Sequence, residues 1–281
     1  MQYPGVRRSI NSDVDNVASL MRVAGLVPAG VSIAPMLAEA KRQLHEEADY
    51  EREGQRLSQF GALLANRREF RVPELHPDLT TPSVLAMSYL EGSPVETLAA
   101  APQAERDRVM TLLIGLLFRE LFEFRLMQTD PNFANYRYAP VTRQVILLDF
   151  GATRAFPDDF VELYRRLLSA GLEGDRPGVR SAALQIGILS GGAPARLERA
   201  LLEMFEMSLE PLRQDTPFDF STSDLAKRMR EAGMAMAEDR AHFRIPPMDT
   251  LLLQRKFGGV HMLATRMRAR VNLRALIERH L

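Results

Sequence analysis

The chain has no cysteine, which excludes disulfides, thiolate metal sites and cysteine nucleophiles, and is compatible with a reducing compartment. It is also poor in lysine. Of 36 basic residues only Lys41, Lys227 and Lys256 are lysine and the rest are arginine, a bias that a GC-rich bacterial genome is expected to give. Any mechanism that needs a lysine has three candidates. Net charge is absent as well: 36 basic residues balance 36 acidic ones, and both signs are interspersed rather than gathered into the basic stripe that neutralises phosphate backbones. No nucleic-acid partner is expected. Long apolar runs are missing too. The longest, Val109 to Phe118, is followed by Arg119, Glu120 and Glu123, far short of the ~20 residues of a spanning helix. The opening MQYPGVRRSI carries a Pro-Gly turn and arginines instead of a cationic start followed by an apolar stretch, so it is not expected to act as a signal peptide. The five histidines, His45, His76, His242, His261 and His280, show no paired ligand spacing, and none is assigned to zinc or to general-base chemistry.

What is present is globular. With 281 residues, 46% apolar and 26% charged, the chain supports one large domain or two modest ones. A helix is expected over 11–24. Leu37, Ala40, Leu44, Ala48, Leu57, Phe60 and Leu64 recur at helical spacing and predict one long helix over 34–65. Short strands are expected at Phe70 to Pro73 and Ser83 to Leu90, separated by HPDLTTP, with a joint at Glu91-Gly92-Ser93-Pro94. A mostly buried helix over 104–127 gives way to a loop, MQTDPNFANY, and then to strands around Tyr136 to Tyr138 and Val145 to Leu148. After Pro157 the pattern is of successive amphipathic helices near 158–171, 176–189, 195–214, 222–240 and 249–279.

Three short patterns carry chemistry. Asp130 and Asn135 stand five apart in a loop after a buried helix, and Asp149 opens an Asp149-Phe150-Gly151 triplet directly after an apolar strand. Each alone reads as a turn. Together, in that order and context, they match the D-x-x-x-x-N and DFG elements of phosphoryl-transfer enzymes. Oxygen ligands must hold Mg²⁺ against a triphosphate, which suits Asn135 and Asp149, and a carboxylate must take or orient the proton of the attacking hydroxyl, which suits Asp130. In HEEADYEREG, Asp49 and Glu53 share a helical face while Glu47 points away from it, so two acidic functions address two partners; the plainer alternative is a solvated acidic face. Met87-Ser88-Tyr89-Leu90 lies where hinge backbone would meet an adenine edge, or is simply a strand end. The methionines of the C-terminal half are core filling or an adaptable lipid or partner surface. Lys256-Phe257-Gly258-Gly259 is a glycine pair inside a late helix, best explained by close packing.

QYPGV, EEADYEREG, FEFRLMQTDPNFANY, LLDFGATR and PFDF at 217–220 resemble the UbiB/AarF/ADCK atypical kinase-like proteins, most closely the coenzyme Q kinase branch and its bacterial relatives. An HRD triplet and an APE segment are both absent, so an ordinary protein serine/threonine kinase is a distant option. The resemblance runs essentially from Gln2 to the C-terminus. It implies an α+β, mostly helical, protein-kinase-like two-lobed fold, with 1–92 an incomplete N-lobe and 93–281 a helical C-lobe. It further implies binding of ATP or ADP with Mg²⁺, and support of ubiquinone biosynthesis through ATPase or small-molecule kinase activity. By the same resemblance Asp130 is the catalytic-loop acid, Asn135 and Asp149 are metal ligands, Glu53 is the helix acid that pairs with a phosphate-binding lysine, and Glu47 and Asp49 form the family's E-x-D motif. Isoprenoid lipid or a quinone precursor, enzymes of ubiquinone biosynthesis and peripheral contact with the inner membrane from the cytoplasm are the partners and location it suggests.

One departure stands out. The family places an alanine-rich nucleotide loop, a K-x-G-Q helix and the phosphate lysine before the QYPGV segment, and here Met1 directly precedes that segment. The expectation is an N-terminally truncated chain lacking the roof of the nucleotide site, with its own activity doubtful. The rival from another class is a non-catalytic pseudokinase scaffold or lipid-binding module serving membrane-associated biosynthetic enzymes.

Overall fold

The computed structural model describes residues 1–3, 5–24, 33–192, 194–237 and 246–281. The fold class is α+β and mostly helical, as the periodicities predict. By internal contacts the chain divides into two units: Met1–Pro94 together with Ala134–Thr153, and Val95–Phe133 together with Arg154–Leu281.

The first unit opens with α1 (Val6–Val23), which is entered through Gly5 at φ 90°, a left-handed conformation that glycine adopts without steric cost. α1 lies against α2 (Ala34–Glu47), with Lys41 Nζ 2.7 Å from Asp15 and His45 3.1 Å from Asn11. Next comes α3 (Tyr50–Leu63), so the single helix expected over 34–65 is in fact two. The break is at Asp49, whose carboxylate accepts the Arg52 backbone N–H at 3.1 Å. It is a cap, with Glu51 and Glu53 in the following first turn complementing the helix dipole. Leu57, Phe60 and Leu64 face inward, and the Phe60 ring meets Phe150 at 4.8 Å. A small sheet runs in the order β1-β5-β4-β2: β1 (Phe70–Arg71) is parallel to β5 (Gln144–Leu147), β4 (Tyr136–Ala139) is antiparallel to β5, and β2 (Ser93–Pro94) is antiparallel to β4. The strand expected over Ser83 to Leu90 does not form. That stretch makes only isolated bridges, Leu75 with Met87 and Thr81 with Val84, because the TTPS turn folds it back on itself.

The second unit is built around α4 (Gln103–Phe122), which buries Val109, Met110, Leu113, Leu117 and Leu121. The helix expected to continue to 127 stops at Phe122; Arg125 turns left-handed at φ 52°, and β3 (Leu126–Gln128) pairs with β6 (Thr153–Ala155). Then follow α5 (Asp158–Glu173), α6 (Arg176–Ile186), α7 (Ala195–Arg213) and α8 (Leu225–Ala237). α5 and α6 each end on a left-handed glycine, Gly174 and Gly187, and Asp175 caps α6 through the Gly178 N–H. Between α7 and α8 lies β7 (Phe218–Asp219). The last expected helix, 249–279, is also divided: α9 (Met248–Arg266), β8 (Arg270–Val271) antiparallel to β7, and α10 (Leu273–Ile277). Arg268 at φ 48° makes that break. Positions 238–240 of the helix expected at 222–240 lie outside the described residues.

Candidate functional site

In the first unit β5 delivers Asp149-Phe150-Gly151 to the start of α3. A side-chain carbon on Gly151 would sit 3.5 Å from Asp149 Oδ1, 3.6 Å from Glu53 Oε2 and 3.7 Å from the Glu47 backbone. The carboxylates of Asp149 and Glu53 and the backbone of Glu47 thus meet beside one glycine, from separate stretches of chain. Asp149 Oδ1 accepts the Gly151 N–H at 3.0 Å, and Glu53 Oε1 accepts the Phe150 N–H at 3.5 Å. Arg52 locks the segment from outside, donating to the Gly151 and Thr153 carbonyls at 3.1 and 3.0 Å and pairing with Glu46 at 3.1 Å.

Glu53 is buried, and burial is the first cause of a pKa pushed up to about 7; the Asp149 carboxylate adds to it, the Phe150 N–H opposes it, and Glu47 raises it slightly. The local field is one that a cation would relieve. Asp49 belongs to the neighbouring cap and stands 3.6 Å from Arg7. Glu47 ends α2 and Glu53 lies in the first turn of α3, so the two are not on one continuous helix; the Glu47 backbone comes close to Gly151 while its carboxylate accepts from Gln43 at 3.1 Å. Asn135 is buried and its carbonyl accepts the Leu148 N–H at 3.1 Å, tying the end of the QTDPNFAN loop to β5. Of the expected hinge, Leu90 is buried, Met87 is partly exposed and Tyr89 is 87% exposed; Ser88 is held to Glu74 through both its backbone N–H and its hydroxyl.

In the second unit, Asp130 Oδ1 accepts from Arg255 on α9 at 3.0 Å. One residue on, Pro131 rests on Gly259 so closely that a Cβ there would overlap the proline ring and lie 3.2 Å from its Cα. Beneath this loop Lys256, 2% exposed, donates to Gln128 Oε1 at 2.7 Å. Glu120 of α4, also 2% exposed, accepts the Gln128 backbone N–H and feels the Lys256 charge, while its Oε2 has no hydrogen-bond donor. Burial pushes Glu120 up to about 7 against those two opposing effects. Sequence reasoning missed Arg52, Arg255, Glu120 and the role of Lys256. The available signal was a charged residue at a core position of each apolar helix, α4 and α9.

The Glu120 shift has a measurable consequence. An acid whose folded pKa exceeds its unfolded value of 4.5 keeps its proton in the native state while the unfolded chain releases it. Stability therefore falls as pH rises from about 4.5 to about 7, by up to about 3 kcal/mol, and is level above. Denaturant titrations of Glu120→Gln between pH 5 and 8 are expected to show a shallower fall than the parent; an unchanged slope would remove Glu120 from the account.

Among the described residues no three His, Asp or Glu side chains are grouped so as to hold a metal ion by themselves. No helix among them is long and apolar enough to cross a membrane.

Residues 1–183 match the family model described as the ABC1 atypical kinase-like domain. The chain belongs to the ABC1 atypical kinase-like family. Relatives within it include the mitochondrial atypical kinase COQ8 of Saccharomyces cerevisiae, 35% identical over 99% of this chain and 56% of its own length. The mitochondrial atypical kinase coq-8 of Caenorhabditis elegans is 34% identical over 99% of this chain and 37% of its own. COQ8B of Rattus norvegicus, also mitochondrial, is 35% identical over 99% and 52%. This ABC1 chain thus spans about half or less of the length of these relatives. Among solved structures, Rv3197 of Mycobacterium tuberculosis, determined in complex with erythromycin, superposes with a TM-score of 0.73 at 20% identity, covering all of this chain and 70% of that one. That likeness, with the ABC1 match, shows the kinase-like fold.

Proposed function

We propose that this ABC1 chain handles ATP or ADP with Mg²⁺ as part of an atypical kinase or ATPase that supports ubiquinone biosynthesis. The observation that carries the proposal is the meeting of the Asp149 and Glu53 carboxylates beside Gly151 after β5, with Glu47 near enough to raise the Glu53 pKa. The donors suit the metal. Asp149 and Asn135 would hold Mg²⁺ through hard oxygen atoms, a cation that takes its remaining positions from phosphate and water and so needs no all-protein cage. Bound there, it would neutralise charge on the transferring phosphoryl group. Asp130 would accept the proton of the attacking hydroxyl or water, with Arg255 fixing the carboxylate's direction. Glu53, buried and close to neutral pH in its titration, suits an acid whose working partner is a lysine ammonium next to the α and β phosphates. The backbone of Met87-Ser88-Tyr89-Leu90 would meet the adenine edge, with Glu47 and Asp49 beside the triphosphate. The kinship with mitochondrial COQ8 proteins supports the ubiquinone assignment, with biosynthetic enzymes as partners. Isoprenoid lipid or a quinone precursor would be a second ligand, reached by peripheral contact with a membrane.

Asp149→Asn removes one unit of charge from the metal position while keeping the side-chain volume. The Mg²⁺-dependent thermal shift produced by ATP is expected to disappear in this variant. An unchanged shift would overturn the nucleotide assignment and leave the non-catalytic scaffold as the better account.

A further inference from the structure

We infer that the helical unit holds a neutral, single-chain lipid in a cavity framed by α4, α5, α7, α8, α9 and α10. The cavity has a volume of about 650 Å³, within the size range of small-molecule sites. Its floor is buried leucine, including Leu121, Leu167, Leu209 and Leu253, and its rim is the exposed face of α9 at Gln254, Gly258 and Met262.

The occupant follows from what the walls offer. Among the described residues no Asp, Glu, Lys or Arg lines the cavity, so none of them would compensate a phosphate, a carboxylate or an ammonium. Two of the described rings in the wall can ionise, and neither brings charge: burial holds His261 below its ordinary pKa and pushes Tyr164 up to about 12, while His261 packs edge-on against Phe220. Water is a poor filling, since each buried molecule needs two to four polar partners and the wall supplies few. An extended peptide brings a polar backbone that this wall cannot satisfy. A docked helix, about 10 Å across, would fit for only about one and a half turns, too short for anchors at i, i+4 and i+7. A flexible hydrocarbon chain ending in a hydroxyl or carbonyl meets every condition. The chain would lie on the leucine floor, Met204, Met229 and Met262 would adapt to it, and the polar end would find Gln254 or Ser208 near the mouth. The inference deepens the lipid part of the proposed function, locates it within one unit, and requires neither nucleotide nor metal.

The test uses the full chain, purified without detergent and free of nucleotide, titrated with radiolabelled oleyl alcohol and, separately, oleate. Saturable one-to-one binding of the alcohol, at least tenfold tighter than that of the carboxylate, is expected. A Cβ on Gly258 meets no protein atom within 4 Å, so Gly258→Trp can leave the helix backbone unstrained and turn its ring into the mouth; it is expected to weaken alcohol binding at least tenfold while keeping the parent's melting temperature. Met229→Trp, on α8, is a second plug. Non-saturable uptake, equal affinity for the carboxylate, or undiminished binding by both plugged variants would overturn the inference. Asp149→Asn is expected to bind oleyl alcohol like the parent, and Gly258→Trp to keep the ATP-induced thermal shift, so failure of the lipid site and failure of the nucleotide site are separately visible.

Discussion

Lys256→Met is expected to destabilise the protein by about 3 kcal/mol at pH 8 and by less than half of that at pH 6. At pH 8 Glu120, titrating at about 7, is ionised in the parent and relies on the Lys256 charge. In the variant it must stay protonated, against its preference in the unfolded chain, or lie in the core as an uncompensated anion. At pH 6 Glu120 carries its proton in either protein, and the variant loses chiefly the 2.7 Å bond from Lys256 to Gln128. Chemical denaturation at the two pH values separates the contributions, and the double variant Lys256→Met/Glu120→Leu is expected to regain most of the loss at pH 8, as paired buried charges do when both are replaced by apolar groups. An equal loss at both pH values would mean that the two side chains are not coupled. Gln128 immediately precedes Thr129 and Asp130, so the same variant should also lower turnover more than it raises KM.

The adjacent glycines of α9 are expected to respond to alanine in opposite directions. Gly258→Ala adds a methyl group to an exposed helix position that meets nothing within 4 Å, and should stabilise by about 1 kcal/mol through the lower backbone entropy of alanine in the unfolded chain. Gly259→Ala drives its methyl group into the Pro131 ring. A proline ring cannot rotate away, so either the helix or the loop must move, at about 1 to 3 kcal/mol, and Asp130 moves with it. Melting temperatures of the two variants measured side by side decide the matter. A stabilised Gly259→Ala would show that the loop does not rest on the helix as described.

Much of the fold was legible because its signals are local. The apolar run before Asp149 marks β5, the two Asn and Pro131 mark the loop after α4, and the leucine spacing after Pro157 marks successive helices. The failures were also local in origin. Asp49 serves equally well inside a solvated helix and as the cap of a new one, and only the turn of the chain between α2 and α3 distinguishes these uses. Ser83 to Leu90 has strand-forming residues but no neighbouring strand to pair with along its length. In the candidate site, the sequence order of Asp130, Asn135 and Asp149 pointed to phosphoryl chemistry, whereas the arginines and the buried pair that hold these segments did not show. Arg52 reaches Gly151, and Lys256 reaches Gln128 and Glu120, across long separations in the chain. No local pattern states which buried positions on two helices will meet.

The parallel pairing of Phe70 with Val145 orders events during synthesis. The first unit takes its inner strands from Ala134–Thr153, so α3 and the two edge strands made earlier must wait, with apolar faces uncovered, until β5 leaves the ribosome. By then all of α4 has already emerged, and at ordinary elongation rates of about 5 to 20 residues per second the delay lasts for seconds. Pairing at such separation is slow to close, so α3 and β1 are the stretches of the nascent chain that stay uncovered longest.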